Sequence, residues 1–459
     1  MKATLDYRNK IILAPMVRVG TLPMRLLALS FGADIVYTEE IIDWKLHKSE
    51  RRVNDVLNTI DYVDKSDGTI IFRTCDKEKG KVVLQLGTAS AERALAVGQK
   101  VQGDVAAVDI NMGCPKDFSI KGGMGVALLY DLERAKKILT TLVDNLDIPV
   151  TCKVRIMPEL DDTLRTVREL ESTGISAIGV HGRTKVERPR HPVHTDVIRE
   201  VVQVLKIPVI ANGGSQEMHK RSDILKFREA CGASSVMVAR AAQWNCSIFR
   251  EEGPLPIEEI ILQYLRLAID YDNSPCNTKY CVQMILRDLQ ETTMGRKFLD
   301  SQTLEQICDV WDLAPYCRQK QLEYHNAGLQ GRRQAAPQPD EQDENCPTKR
   351  QRLGNGDSEQ DVVSHNVSFI RVNYSDDKEL PKSKLYIYTV KNGLKLPKYE
   401  SIHKDKLFRA IVLVGERRYS SSFWEKSKKY AEQSAALTCL LHLGVESREK
   451  LIANGAIIG

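Results

Sequence analysis

A cysteine stands between a glycine and a proline in DINMGCPKDFSIKGGMG, residues 109–125. An apolar run ends there at Asn111, the chain bends through Gly113, Cys114 and Pro115, and a glycine cluster follows. A reduced cysteine in a turn is ordinarily a small buried hydrophobe. At the mouth of an active site the same thiol can serve as a proton donor or as a nucleophile. Other apolar runs also close on residues with chemistry: Pro15 and Met16, Glu39 and Glu40, Gln85, Lys153, His181 with Arg183, Asn212 to Gly214, and Arg240. Singly, each has a plain role, such as Asn212 capping a turn or Lys153 pairing with a carboxylate. As a group they offer donors too consistently for that. Gln85 and Asn111 can exchange hydrogen bonds with the amide edges of a planar heterocycle, and Lys153 can stabilise an anion spread over a ring.

Such residues converge only if the fold brings their strand ends together. Apolar, β-branched runs occur at 11–16, 34–39, 82–87, 105–113, 150–156, 177–183, 208–214 and 234–240. Amphipathic stretches such as SAERALAVGQKV and LERAKKILTTLVDNL lie between them. Near-continuous apolar strands belong to a parallel sheet covered by helices on both faces. Eight of them over about 240 residues predict an α/β fold, a (β/α)8 TIM barrel. An open doubly wound sheet is the rival, but no G-x-G-x-x-G follows the first run. In the barrel, chemistry gathers at the C-terminal ends of the strands, and the loops after strands 7 and 8 commonly hold a phosphate. IANGGS and VARAA occupy those two places. Gly213 and Gly214 permit close backbone approach, and Arg240 can add a bidentate contact. The residues alone therefore predict a barrel holding a phosphorylated planar cofactor, flavin mononucleotide (FMN). In the long gap between the second and third runs, TIIFRTCDKEKGKVV predicts a hairpin insertion turning at Lys79-Gly80.

A chain of 459 residues, 42% apolar and 28% charged, is long enough for several domains. It has no apolar run of about 18 residues, so no membrane span is expected. The first strand pattern follows no long apolar leader, and the 11 cysteines form no C-x-x-C. Reduced thiols and a cytoplasmic location are expected. So is a monomer. No metal site is expected, because neither Cys276/Cys281 nor His191/His194 has a second matching ligand pair.

The FMN-binding catalytic barrel is placed at 1–244. Helix patterns without strands (IEEIILQYLRLAIDY, TKYCVQMILRDLQ, LEQICDVWDL) make 245–330 a helical domain. The polar, Pro- and Gly-containing 331–365 reads as a flexible linker. From residue 366 onward, 17 Lys and Arg face 10 Asp and Glu, so this part carries +7 of a chain whose total is only +5. Such a module points to a polyanionic partner. Its pattern is α+β: a helix at 381–393, strands in PKYESIHKD, FRAIVLVGE and RRYSSSFW, and a helix at 425–444. Lys426, Lys428 and Lys429 gather in the first turn of that last helix. The module spans 366–445, with a tail at 446–459.

The motifs LAPMVRVGTLPMR, NMGCPKDFSIKGGMGVALL, CKVRI, VHGR and ANGGS, in this order, resemble those of the flavin-dependent tRNA-dihydrouridine synthases. The resemblance runs from residue 11 through the helical domain. It implies reduction of the C5–C6 double bond of a D-loop uridine, at position 20 of cytoplasmic tRNA, with NADPH or NADH as reductant and FMN as carrier. It implies that Pro15, Met16, Gln85, Lys153, His181, Asn212, Gly213, Gly214, Ala239 and Arg240 contact the flavin. Asn111, Lys153, His181 and Arg183 would line the uracil. Cys114 would protonate C5 as a general acid while hydride arrives at C6. A thiol suits that task, since its ordinary pKa of about 8.5 leaves it mostly protonated at neutral pH. The target base must leave the tRNA stack to enter such a site. The C-terminal module resembles a double-stranded-RNA-binding domain, whose second helix begins with phosphate-contacting basic residues. Lys426, Lys428 and Lys429 occupy that place, and Arg371 in VSFIRVNY reads as an added RNA-contacting arm. Two other readings stand beside this one. A small-molecule flavin oxidoreductase of the dihydropyrimidine or dihydroorotate dehydrogenase type has no need of an RNA module. A non-catalytic RNA-binding protein has no need of a complete set of strand-end donors.

Overall fold

The computed structural model describes residues 5–65, 68–301, 303–327, 329, 362–374, 376–404, 407–425 and 427–457. The chain divides into two compact units, residues 1–65 with 69–314, and 66–68 with 315–459. In the first unit eight strands run parallel: β1 (Ile11–Leu13), β2 (Ile35–Tyr37), β3 (Val82–Gly87), β4 (Ala107–Met112), β5 (Val150–Arg155), β6 (Ala177–His181), β7 (Val209–Asn212) and β8 (Ser235–Val238). β1 pairs with β8, Ile12 opposite Met237, and β2 pairs with β3, Val36 opposite Val82. Those two ladders close the barrel. Each strand falls within an apolar run of the sequence and all but β3, which fills its run, are shorter than it, because the polar ends leave the ladder to build the mouth.

Burial on both faces explains the apolar runs. Helices α1 (Leu22–Ser30), α2 (Ala91–Val101), α3 (Leu132–Asn145), α4 (Leu160–Glu171), α5 (Thr195–Val204) and α6 (Arg221–Cys231) alternate with the strands. Ser90 and Asp131 start α2 and α3 by accepting from the Arg93 and Arg134 backbone N–H groups. Tyr7, Ile12, Ile35, Tyr37, Val83, Ala107, Ala177, Ile210 and Met237 form one buried cluster, so the barrel is filled by side chains rather than open.

Between β2 and β3, strands Ser49–Asn54, Thr59–Asp64 and Ile70–Thr74 make a three-stranded antiparallel sheet. The turn at Lys79-Gly80 is therefore not the expected hairpin. It follows a single 3-10 turn, Asp76–Glu78, and feeds β3, with Gly80 at φ +73. Ile70–Thr74 finds its partner upstream, in Thr59–Asp64, instead of downstream in β3. After β8, α7 (Ile257–Asp270) and α8 (Pro275–Leu286) follow. Leu22 and Leu26 of α1 cluster with Cys75, Tyr271 and Leu267. The helical segment thus shares a compact unit with the barrel, and the chain divides at 314/315, inside the stretch read as a helical domain.

In the second unit, β9 (Val362–His365) runs parallel to β12 (Arg417–Ser421), beside the antiparallel β10 (Lys398–Lys404) and β11 (Leu407–Val414). Helices α9 (Pro381–Lys391) and α10 (Lys428–His442) supply Leu385, Ala431, Ala435 and Ala436 to a core with Ala410, Val412 and Tyr419. The small residues of α10 let it lie close on the sheet. Two boundaries differ from those read in the sequence. Residues 362–365, assigned to the linker, form an edge strand, and residues 446–459, assigned to a tail, contain α11 (Arg448–Ala453). Leu451, Ala456 and Ile457 bury against Val367, Ile370 and Leu437. Residues 331–361, the remainder of the linker, lie outside the described residues. Among the described residues no helix is long and apolar enough to cross a membrane, and no cluster of His, Cys, Asp and Glu could hold a metal.

Candidate active site

The strand register sets the mouth. Gln85 lies opposite Asp109, Asn111 opposite Lys153, Lys153 opposite Gly179, and His181 opposite Asn212. Side chains alternate along a strand, so Asp109 and Asn111 share one face of β4, and Thr151, Lys153 and Arg155 one face of β5. Asn111 Oδ1 accepts from the backbone N–H groups of Gly113 (2.9 Å) and Cys114 (3.1 Å). That turn ends β4 and holds the backbone that carries the thiol. Arg155 Nε donates to the Gly113 carbonyl at 2.7 Å. Gly125 stands at φ +59, and a Cβ there would lie 2.6 Å from the Cys114 carbonyl oxygen and 2.9 Å from its Cβ. The last glycine of GGMG is required by its contact with the cysteine. Gly125→Ala is expected to destabilise the chain by about 1–3 kcal/mol and to change the rate of Cys114 alkylation. Denaturant unfolding and peptide mass spectrometry read the two effects; no change in either contradicts the contact.

Below Cys114, Asp109 is only 1% exposed. It accepts from Gln85 Nε2 at 2.8 Å and from Thr151 Oγ1 at 2.7 Å. Burial outweighs those bonds and pushes its carboxyl up to about 6. Because Asp109 takes the Gln85 amide nitrogen, the Gln85 carbonyl oxygen is left for a ligand. Burial, reinforced by Arg155, pushes Lys153 down to about 8, so it stays charged at neutral pH. His181 is pushed well below its usual range by burial and by Lys153, Arg155, Arg183 and Arg240, so its imidazole is neutral.

On the far side, Arg183 Nη1 donates to the Gly213 carbonyl at 2.7 Å and lies 3.5 Å from His181 Nε2. Asn212 Nδ2 donates to the Met237 carbonyl at 2.7 Å. Gly213 has φ +131, and a Cβ there would come 3.1 Å from the His181 ring; at Gly214 it would come 2.6 Å from Phe227. Ala239 precedes the short helix Arg240–Trp244, and Arg240 is exposed at the rim. The Met16 carbonyl, next to Pro15, accepts from Val19 and Gly20. The barrel residues singled out in the sequence thus lie in the C-terminal halves of their strands or just beyond them.

Three residues escaped the sequence reading as functional. Asp109 and Arg155 lie two positions before Asn111 and two after Lys153, so strict alternation would have found them. Arg25 closes the motif LAPMVRVGTLPMR but was given no role: in α1 its Nε and Nη2 donate to Glu78 at 2.8 and 2.6 Å, and Nη1 donates to the Gly20 carbonyl at 2.6 Å. In the second unit, Lys428 and Lys429 are exposed in the first turn of α10, which Ser427 caps. Lys426 lies outside the described residues. Arg371 donates to the Tyr374 carbonyl and, at 3.0 Å, to Asp377.

Residues 12–261 match the model of the dihydrouridine synthase (Dus) family. The chain belongs to that family. The matched Dus segment contains the whole rim from Pro15 to Arg240. Residues 381–443 match the double-stranded RNA binding motif, which takes in Lys428 and Lys429 but not Arg371. This Dus chain is 40% identical over 319 residues to the NAD(P)+ tRNA-dihydrouridine(20) synthase of Schizosaccharomyces pombe, covering 67% of this chain and 66% of that one. It therefore spans just under two thirds of that relative's length. It is 36% identical over 301 residues to the enzyme of the same name from Saccharomyces cerevisiae, covering 61% and 78%. A crystal structure of a tRNA-dihydrouridine(20) synthase dsRBD domain is 40% identical, covering 18% of this chain and 89% of that one, with a TM-score of 0.18.

Proposed function

We propose that this Dus-family chain is a tRNA-dihydrouridine synthase that reduces the C5–C6 double bond of a D-loop uridine, at position 20 of cytoplasmic tRNA. It acts as a cytoplasmic monomer, with NADPH or NADH as reductant, FMN as resident cofactor and Cys114 as general acid. The observation that carries the reading is the Cys114 thiol, half-buried at the end of β4, on the same rim as Lys153, His181 and Arg183. The donor set fits FMN: Gln85 presents an acceptor and Lys153 a cation, while a Cβ on Gly213 or Gly214 would strike Val193 or Phe227, so the backbone after β7 has to be glycine. Pro15, Met16, Gln85, Lys153, His181, Asn212, Gly213, Gly214, Ala239 and Arg240 would hold it. Held there, FMN would supply hydride-transfer chemistry for C6 of the uracil, with the nicotinamide as its reductant.

The rest is done by the chain. Lys153 places a cation where negative charge develops. Asn111, Arg183 and the neutral His181 offer hydrogen bonds that orient the uracil. Cys114 gives its S–H proton to C5, which forms the new C–H bond and leaves a thiolate for solvent to reprotonate. Protein purified without flavin and unable to take up FMN contradicts the reading; a yellow protein bleached by NADPH is the expected result.

RNA contact by Lys428 and Lys429 is salt-dependent. Replacing both with alanine should lower the slope of log affinity against log salt by up to about 2, with little dependence on tRNA sequence. Arg371→Ala should weaken tRNA binding as well. Affinities that match the unaltered protein at several salt concentrations contradict these roles.

A further inference from the structure

Of the chain's four tryptophans, Trp311 and Trp424 are buried, Trp244 is half-buried, and Trp44 is 51% exposed. An indole left in water forfeits the burial that a large aromatic side chain gives a fold. A loose segment does not account for it. Trp44 stands in the short helix Asp43–Lys48, which is pinned at both ends. At its start, the buried Asp43 accepts through Oδ2 from Thr88 Oγ1 at 2.7 Å and from Arg93 Nε at 3.0 Å. At its far end, Lys100 Nζ donates to the carbonyls of Leu46, His47 and Ser49, at 3.2, 2.7 and 2.8 Å. Asp43 and Leu46 are buried, and the other four residues, Trp44, Lys45, His47 and Lys48, are exposed.

That outward face combines an aromatic surface with positive charge. The His47 ring lies parallel to the indole, at an interplanar angle of 2° and a centroid distance of 5.7 Å. Lys48 Nζ is 4.6 Å and the Arg93 guanidinium carbon 5.5 Å from the centre of the indole. The one acid of the helix, Asp43, is the residue turned inward. The helix also stands on the side of the barrel where the strands end. Ile41 and Ile42 run beside Leu86 and Gly87, the last residues of β3, and Trp44 lies two residues beyond them. Thr88 and Arg93, which hold Asp43, follow β3 and begin α2.

A flat aromatic ledge edged by cations suits an unpaired nucleobase, whose face stacks on the ring while its phosphates meet the charges. A protein partner would ask for apolar neighbours around the indole, and here every exposed neighbour on the helix is basic. We propose that Trp44 stacks on an unpaired base of the tRNA other than the one that enters the mouth, with Lys45 and Lys48 on the adjoining phosphates. The proposal rests on the reading of tRNA as the substrate. Because the helix is already pinned, little ordering is needed when the RNA arrives.

The test measures binding of an unmodified tRNA and steady-state dihydrouridine formation with full-length protein. Trp44→Ala should weaken tRNA affinity and raise KM for tRNA by about 5- to 100-fold, the loss of one stacked base, with kcat little changed. Trp44→Phe should recover most of that loss and Trp44→Leu little, since leucine has bulk but no π face. Salt separates the parts of the site. Trp44→Ala should keep the slope of log affinity against log salt, because stacking releases no counterions, whereas alanine at both Lys45 and Lys48 should lower it by up to about 2. A Trp44→Ala protein with the tRNA affinity and KM of the unaltered one overturns the proposal, and so does full recovery by Trp44→Leu. Failure of the underlying reading looks different: the unaltered protein would itself neither bind tRNA nor form dihydrouridine, and the proposal would fall with it.

Discussion

Cys114→Ala is expected to bind FMN and oxidise NADPH at the normal rate while dihydrouridine formation falls about 10²–10⁴-fold, the range a positioned general acid contributes. The substitution touches only the proton. The Cys114 backbone is held by Asn111 Oδ1, and the turn by Arg155 on the Gly113 carbonyl, none of which needs the sulfur. The side chain is half-buried, so trimming it leaves little cavity. Lys153 on β5, His181 at the end of β6 and Arg183 just beyond it keep their places, and Arg183 keeps the Gly213 carbonyl. Single-turnover assays on tRNA, run beside NADPH oxidation in its absence, separate the two half-reactions. Full dihydrouridine formation refutes the acid role, and loss of FMN binding refutes the separation.

Arg25→Ala is the largest stability effect expected, about 3–5 kcal/mol. Arg25 and Glu78 are 2% and 0% exposed, and their side chains meet through two hydrogen bonds of 2.8 and 2.6 Å. Removing the guanidinium leaves a buried carboxylate whose one other side-chain hydrogen bond among the described residues comes from the Thr74 hydroxyl, 2.8 Å away. The consequence reaches the mouth. Arg25 also holds the Gly20 carbonyl, and Gly20 packs so closely on β2's end that a Cβ would lie 2.5 Å from the Glu39 nitrogen. The loop bearing Pro15 and Met16 and the segment bearing Glu40 are pinned together there. Arg25→Ala should therefore weaken FMN affinity without touching the cofactor site. Arg25→Lys should recover little, because an ammonium cannot make the fork. Urea unfolding and FMN titration check both effects, and unchanged values contradict them.

Why Cys114 was legible in the sequence while Arg25 was not is a matter of physics. Barrel strands are buried on both faces, so their apolar runs stand out, and the fold places its chemistry where those runs end. Met16, Gln85, Asn111, Lys153, His181 and Asn212 could be found by that rule alone. Arg25 sits within LPMRLLALS, where a helical pattern gives no sign that one arginine turns inward to meet Glu78. That pairing depends on an insertion whose strand order was misread, since Ile70–Thr74 has no local signal for its upstream partner. Val362–His365 is short and half polar, and becomes a strand only beside β12. Residues 448–457 looked like a tail because two or three apolar side chains suffice to close a small core. Asp109 and Arg155 were within reach, as alternation places Asp109 on the face of β4 that carries Asn111 and Arg155 on the face of β5 that carries Lys153.

One reaction product decides what this chain does. Purified full-length protein, loaded with FMN and supplied with NADPH, is incubated with an unmodified tRNA carrying uridine at position 20, and the D loop is sequenced by mass spectrometry. Dihydrouridine at that position, lost with Cys114→Ala, is the predicted result. An intact, tRNA-binding, NADPH-reducible flavoprotein that leaves every D-loop uridine unchanged would contradict it.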